Sequence, residues 1–349
     1  MESAAATPID AVLLGTVSAP GSVEPLAQGQ LAVRHGDRLE LHDRAAFLDG
    51  ASPSLLHARL LPPYARAAPL PDGTVVLAEG TRIRALDPGG RTRWEVPHPP
   101  WRHAPREPRP PGTPAVSPDG RLVCALVPTL AAGVDERLYY TRDTLLLLDA
   151  ASGDVRARRP VGAISSDVTQ RWHPDGSLLA VSCWTARYSW STWWIEPRHD
   201  GLHIRGGTTM HEIVGFLPGT TRALTLRRAE GIAHNDDRDE LASHEATADE
   251  QTAVLNLSDL ATDPRSDEFD AAFLLDSAHV LVSGRIHRRG RPPATRHWLC
   301  DALTLRPLGR LRYPAPVGRH ATPLGDGTWL TRHGQGERLH HWALPRQGT

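Results

Sequence analysis

Lysine is absent from the 349-residue chain, so all 39 basic side chains are arginine, and asparagine occurs only at Asn235 and Asn256. The bias reads as GC-rich codon usage, and no mechanism need be sought in it. Cysteine is nearly as scarce. Cys124, Cys183 and Cys300 are too few and too scattered for a disulfide framework. Each sits in an apolar stretch, as in Leu122-Val123-Cys124-Ala125-Leu126, and is expected to act as a small buried hydrophobe rather than a nucleophile. A dominant charge sign is missing too: 39 basic against 40 acidic residues leave a net −1. That excludes a global electrostatic pull toward nucleic acid or anionic membrane, and neither is expected as a partner. No apolar run approaches the ~18 residues of a membrane helix. The opening Met1-Glu2-Ser3-Ala4-Ala5-Ala6 lacks the cationic flank of a secretory signal, so a cytoplasmic location is expected. Hydrophobic residues at 40% and charged ones at 23% exclude wholesale disorder.

What the chain does have is a recurring phrase: a Pro-Asp-Gly turn followed by an apolar run. Pro71-Asp72-Gly73 precedes Thr74-Val75-Val76-Leu77, Pro118-Asp119-Gly120 precedes Leu122-Val123-Cys124, and Pro174-Asp175-Gly176 precedes Leu178-Leu179-Ala180-Val181. Degenerate copies centre on Pro218, Asp276 and Asp326, giving steps of 47, 56, 43, 58 and 50 residues. A second phrase follows the first. Leu86-Asp87-Pro88-Gly89-Gly90 leads to Trp94, and Leu148-Asp149-Ala150-Ala151-Ser152-Gly153 echoes it. In both phrases aspartate caps local backbone N–H groups and glycine supplies a positive φ. No convincing amphipathic helix interrupts the series. The unit is therefore a four-stranded blade, repeated.

These phrases resemble those of WD40-like and YVTN-like bacterial β-propellers over residues ~28–344, and the stretch from Ala85 to Trp94 resembles a quinoprotein-type repeat. The chain departs from strict WD40 sequences, since no blade has both a Gly-His start and a Trp-Asp end. The tryptophan-docking repeat is clear only once, so no bound quinone or other cofactor is expected. The expected fold is all-β: a single closed propeller domain over residues 1–349. Seven four-stranded blades are placed near residues 30–49, 67–97, 113–162, 167–206, 212–262, 268–312 and 317–344. The first has room for two or three strands only. The segment 9–15 is expected to complete the last blade, pairing N- and C-terminal strands, because an open ring leaves unpaired edges.

Between second and third strands the sequence predicts long loops in blades three to six, at 127–142, 184–191, 227–251 and 285–296, all opening on one face. Loops on a rigid scaffold are where binding residues gather. Blade four supplies Trp184, Arg187, Tyr188 and Trp190 as aromatic and arginine anchors of the kind interfaces favour. The competing reading buries tryptophans of this segment between blades. Residues 229–250 carry eight acids and one arginine, including Asp236, Asp237, Asp239 and Glu240. Residues 285–296 carry five arginines, among them Arg288 and Arg289, and no acid. Neighbouring loops of opposite charge either neutralise each other or steer a partner.

Histidine spacing supports no metal site. His340 and His341 are adjacent in a strand and point to opposite faces. Only His234 with Asp236, Asp237 and His244 forms a loop cluster worth testing. The Gly-X-Ser-X-Gly, Gly-X-X-X-X-Gly-Lys and Gly-X-Gly-X-X-Gly patterns are all absent. The leading expectation is a non-catalytic scaffold that binds a protein or peptide through the looped face. The alternative is a propeller-type lyase or hydrolase at the mouth of the central channel, drawing on Asp167, Arg171, His173 and His320. The same channel leaves room for a small-molecule ligand.

Overall fold

The structure, a computed structural model, describes the chain except residues 1–6, 27–28, 58–64, 101–113, 133–137, 163–164, 186–188, 228–238, 249, 262–266, 289–290, 333–335 and 346–349. Its strands form seven sheets, antiparallel but for one added edge strand, whose innermost strands stand side by side around a central channel. Residues 66–97, 115–161, 165–209, 211–256 and 268–312 each supply one complete blade in chain order. This is the seven-bladed propeller that the repeated turns imply.

The turn chemistry explains the regularity. Asp72 Oδ1 accepts the Thr74 N–H at 2.9 Å, Asp119 Oδ1 the Arg121 N–H at 3.1 Å, and Asp175 Oδ1 the Ser177 N–H at 2.8 Å. In each case the aspartate satisfies an N–H that the tight turn would leave open. The second phrase has a long-range role as well. Trp94, in the outer strand Thr92–Pro97 of blade two, donates from Nε1 to the Ala150 carbonyl of blade three at 2.9 Å. Its ring lies over Gly153, where φ is +76° and a Cβ would sit 2.7 Å from the indole. Glycine is needed there twice over, for the left-handed backbone and for the approach of the ring.

Ring closure takes an unexpected form. Val12–Ser18 pairs antiparallel with Arg338–Ala343 and supplies the outer strand of blade seven. Ile9–Asp10 instead runs parallel to Pro307–Arg312 on the outer edge of blade six, which becomes five-stranded. Asp10 grips Arg312 through two bonds of 2.7 Å. The N-terminal segment therefore spans two blades, where the sequence pointed to one. Blade one also differs. It has four strands, Ser22–Pro25, Gln30–His35, Arg38–Asp43 and Leu55–His57. A short helix, Arg44–Leu48, precedes the last of these and is capped by Asp43, which accepts the Ala46 N–H at 2.9 Å. The first of these strands is polar and the last only three residues long, which hides both from an apolar-run criterion.

The core consists of seams between blades. Leu145, Leu147 and Cys124 of blade three pack on Val168, Leu179, Val181 and Cys183 of blade four. All three cysteines are fully buried, and burial pushes the Cys300 thiol up to about 12. Among the described residues, no helix is long and apolar enough to cross a membrane.

Candidate functional site

The segments read as loops between second and third strands are mostly ladder. In blade three, Leu122–Ala132 and Leu138–Asp149 stay paired out to Ala132 opposite Leu138. In blade six, His279–Arg288 and Arg291–Asp301 pair out to Arg288 opposite Arg291. In blade four, Leu179–Thr185 and Ser189–Arg198 close with Thr185 opposite Ser189. Extending the ladder gives each backbone N–H and C=O a partner, which a loop would have to find elsewhere. The described parts of these insertions are therefore paired strands that extend the blades on one face.

This geometry redistributes the predicted anchors. Trp184 and Trp190 oppose each other across the blade-four hairpin, ring centroids 5.6 Å apart. Trp184 is half-buried, but Trp190 is only 6% exposed. Its assignment as a projecting anchor is corrected: strand alternation turns its ring inward, and it supports Trp184 from within the blade. Arg187 and Tyr188 lie outside the described residues, as do Asp236, Asp237 and Arg289. Arg288 is placed by its backbone, at the end of the blade-six ladder.

The acidic stretch is also not one loop. Glu240–Glu245 is the third strand of blade five, and Glu250–Asn256 is the fourth. Glu245 faces Glu250 at the end of the blade away from Glu240, so the described acids of this stretch lie at both ends of the blade. Asp239 Oδ2 accepts the Phe269 N–H of blade six at 3.4 Å. Glu240 Oε1 lies 3.7 Å from His211 Nε2, and burial raises its carboxyl against the nearby charge of Arg227. Behind it, the Thr225 hydroxyl sits 3.0 Å from His211 Nδ1 and 3.0 Å from His244 Nε2. Desolvation, followed by the charges of His244 and Arg227, brings His211 down to about 4. Glu240 thus belongs to a buried polar cluster, and His244 packs inside the blade away from any loop.

The channel gathers the second set of candidates. One cavity of about 420 Å³ is bounded by the inner strands of blades one to four, including Glu24, Arg66, Asp167 and Arg171. Another of about 500 Å³ reaches Thr169, Arg171, Glu212 and His320. Asp167, Arg171 and His320 are therefore channel residues. His173 is not: it is 4% exposed, with Nδ1 2.5 Å from Asp175 Oδ1 and Nε2 2.6 Å from the Thr220 carbonyl. It ties blade four to blade five. Among the described residues, no group of three histidine, cysteine or acidic side chains is arranged to hold a metal ion.

Sequence reasoning missed Glu24 and Arg66, which belong to strands of only four residues. It also missed Asp143 in the third strand of blade three. Asp143 is completely buried, with Oδ2 accepting the Ser165 N–H at 3.1 Å and the Ser165 hydroxyl. Its Oδ1 has no hydrogen-bond partner among the described residues. Apolar Leu145-Leu146-Leu147-Leu148 nearby gives no local signal of a buried carboxyl.

No family model matches the chain, and no curated protein matches it. Solved structures do. A chain in the crystal structure of the mitotic checkpoint complex superposes with TM-score 0.59 at 11% identity, covering 95% of this chain and 94% of that one. A chain in the structure of BBS1N in complex with ARL6DN gives 0.54 at 14%, covering 98% and 99%. The WD40 domain of Toxoplasma gondii coronin gives 0.52 at 13%, covering 98% and 90%. Identities this low speak to fold alone. Over nearly its whole length, the chain has the seven-bladed β-propeller fold of WD40 proteins.

Proposed function

We propose that the protein is a non-catalytic scaffold that docks a protein or peptide partner on the face bearing the raised hairpins. The observation that carries this reading is the confinement of long strands to that face. The paired strands of blade three run 11 and 12 residues and those of blade six 10 and 11, against 4 and 5 in blade two. Paired ladders are pre-ordered, so a partner that contacts them sacrifices little conformational entropy. Trp184, Arg187 and Tyr188 of blade four, with Asp236, Asp237 and Asp239 of blade five and Arg288 and Arg289 of blade six, are the contact candidates. Their charges act mainly on association rate and salt dependence. The BBS1N and checkpoint structures are those of complexes, which supports a docking role for a propeller of this shape.

The test is to shorten the blade-three hairpin by replacing residues 132–138 with Asn-Gly, and separately to make Trp184→Ala. Cross-linking mass spectrometry of the intact protein in host extract identifies the partner. Each variant is then titrated with that purified partner, and its unfolding is followed in parallel. The proposal expects weakened binding with an unchanged melting temperature. Equal affinity in both variants rejects this face as the docking site.

A further inference from the structure

Two charged residues in the channel stand apart from the others. Glu24 and Arg171 are the ionised side chains that border both cavities. Glu24 lies on the inner strand of blade one and Arg171 on the inner strand Ser165–Trp172 of blade four. Three places apart in a ring of seven, those strands face each other across the channel. Both side chains are exposed, and neither forms an ion pair among the described residues. Among the described residues, the side chain of Arg171 donates from Nη1 to the Gln170 carbonyl at 3.2 Å.

The remaining lining charges are already engaged. Asp167 accepts the Val168 N–H at 2.9 Å and lies 3.7 Å from Arg66. Glu212 accepts the Thr169 hydroxyl at 2.8 Å, and His320 Nε2 accepts from Arg319 Nε at 3.0 Å. Among the described lining residues, Glu24 and Arg171 thus offer a carboxylate and a guanidinium outside any ion pair, from opposite walls, where the two cavities meet. Separate counter-ions would satisfy them at the cost of ordering two particles. A single molecule with an ammonium at one end and a carboxylate at the other satisfies both for one ordering cost. Cavities of about 420 and 500 Å³ lie within the range that holds small ligands.

We propose that the central channel binds a small zwitterion of amino-acid or short-peptide type, its ammonium toward Glu24 and its carboxylate toward Arg171. This site is separate from the docking face and stands independently of it. The probes are glycine, glycylglycine and triglycine, whose span grows by about 3.5 Å per residue, titrated calorimetrically at low salt. One member of the series should bind with saturation at one site per chain. N-acetylating that probe, or making Glu24→Gln, should weaken binding about tenfold, as should amidating its carboxylate or making Arg171→Gln. The N-acetylated probe should be indifferent to Glu24→Gln, and the amidated probe to Arg171→Gln. The capped probes on the unaltered protein decide the matter even if a variant folds poorly. Absence of binding across the series overturns the proposal, as does capped and free probes binding equally.

Discussion

Replacing Asp143 with asparagine should change how stability depends on pH. Burial pushes this carboxyl up to about 7, against the Ser165 bonds that favour its charged form. In the unfolded chain it titrates near its ordinary value, about 3.9. The folded state therefore holds a proton that the unfolded state releases. The resulting stability is complete below about pH 4 and drains away as pH rises toward 7. A gap of about three pK units corresponds to about 4 kcal/mol once the group is ionised in both states. Between pH 5 and pH 8 the share lost is about 2–3 kcal/mol. Asparagine is neutral throughout. Its oxygen can accept both Ser165 bonds, but its NH₂ replaces an Oδ1 that has no partner, a cost of about 1–3 kcal/mol at every pH. The variant should therefore be no more stable than the parent at pH 5, and should gain on it by about 2–3 kcal/mol by pH 8. Urea unfolding at the two pH values reads this directly, and the histidines, which titrate in both proteins, cancel in the difference. Parallel pH profiles would refute the reasoning, because Asp143 would then ionise in the fold as it does in water.

Trp190→Ala should cost about 3–5 kcal/mol in chemical denaturation through cavity formation, whereas Trp184→Ala should cost far less; equal small losses would return Trp190 to the surface. Trp94→Phe keeps most of the docked ring but removes the bond to the Ala150 carbonyl, and should lower stability by about 1 kcal/mol. An unchanged unfolding midpoint would show that bond to be idle. Deleting residues 1–18 strips the outer strand of blade seven and the clasp on blade six, and should lower the melting temperature by about 5 °C or more; a transition left where it was would show that closure adds no stability. Desolvation also brings His297 down to about 4. With His211 it contributes stability that is present above pH ~6.5 and lost as pH falls toward 4. His297→Gln should flatten that acid limb; an unaltered limb would mean His297 takes no part in it.

Blade number, strand order and the closing of the ring by terminal strands were all legible in the sequence. The reason is that the signals are local. Each Asp-Gly turn is made by bonds between residues two to four positions apart, such as Asp72 to Thr74 or Asp87 to Arg91 at 2.8 Å. The apolar runs that follow lie in strands whose burial any neighbouring blade would provide. Only the tertiary structure decided where the edges and the charges fall. Ile9–Asp10 joins blade six because ring closure brings that outer edge beside the segment entering blade seven. Trp190 is buried because strand alternation sets it in line with Thr192 and Trp194, which packing closes off from solvent. The acids of blade five separate because Glu240 and Glu245 sit at opposite ends of one strand. Glu24 and Arg171, far apart in the chain, meet across the channel because seven blades close a circle. A residue's chemistry is written locally, but its partners are set by which parts of the ring face each other.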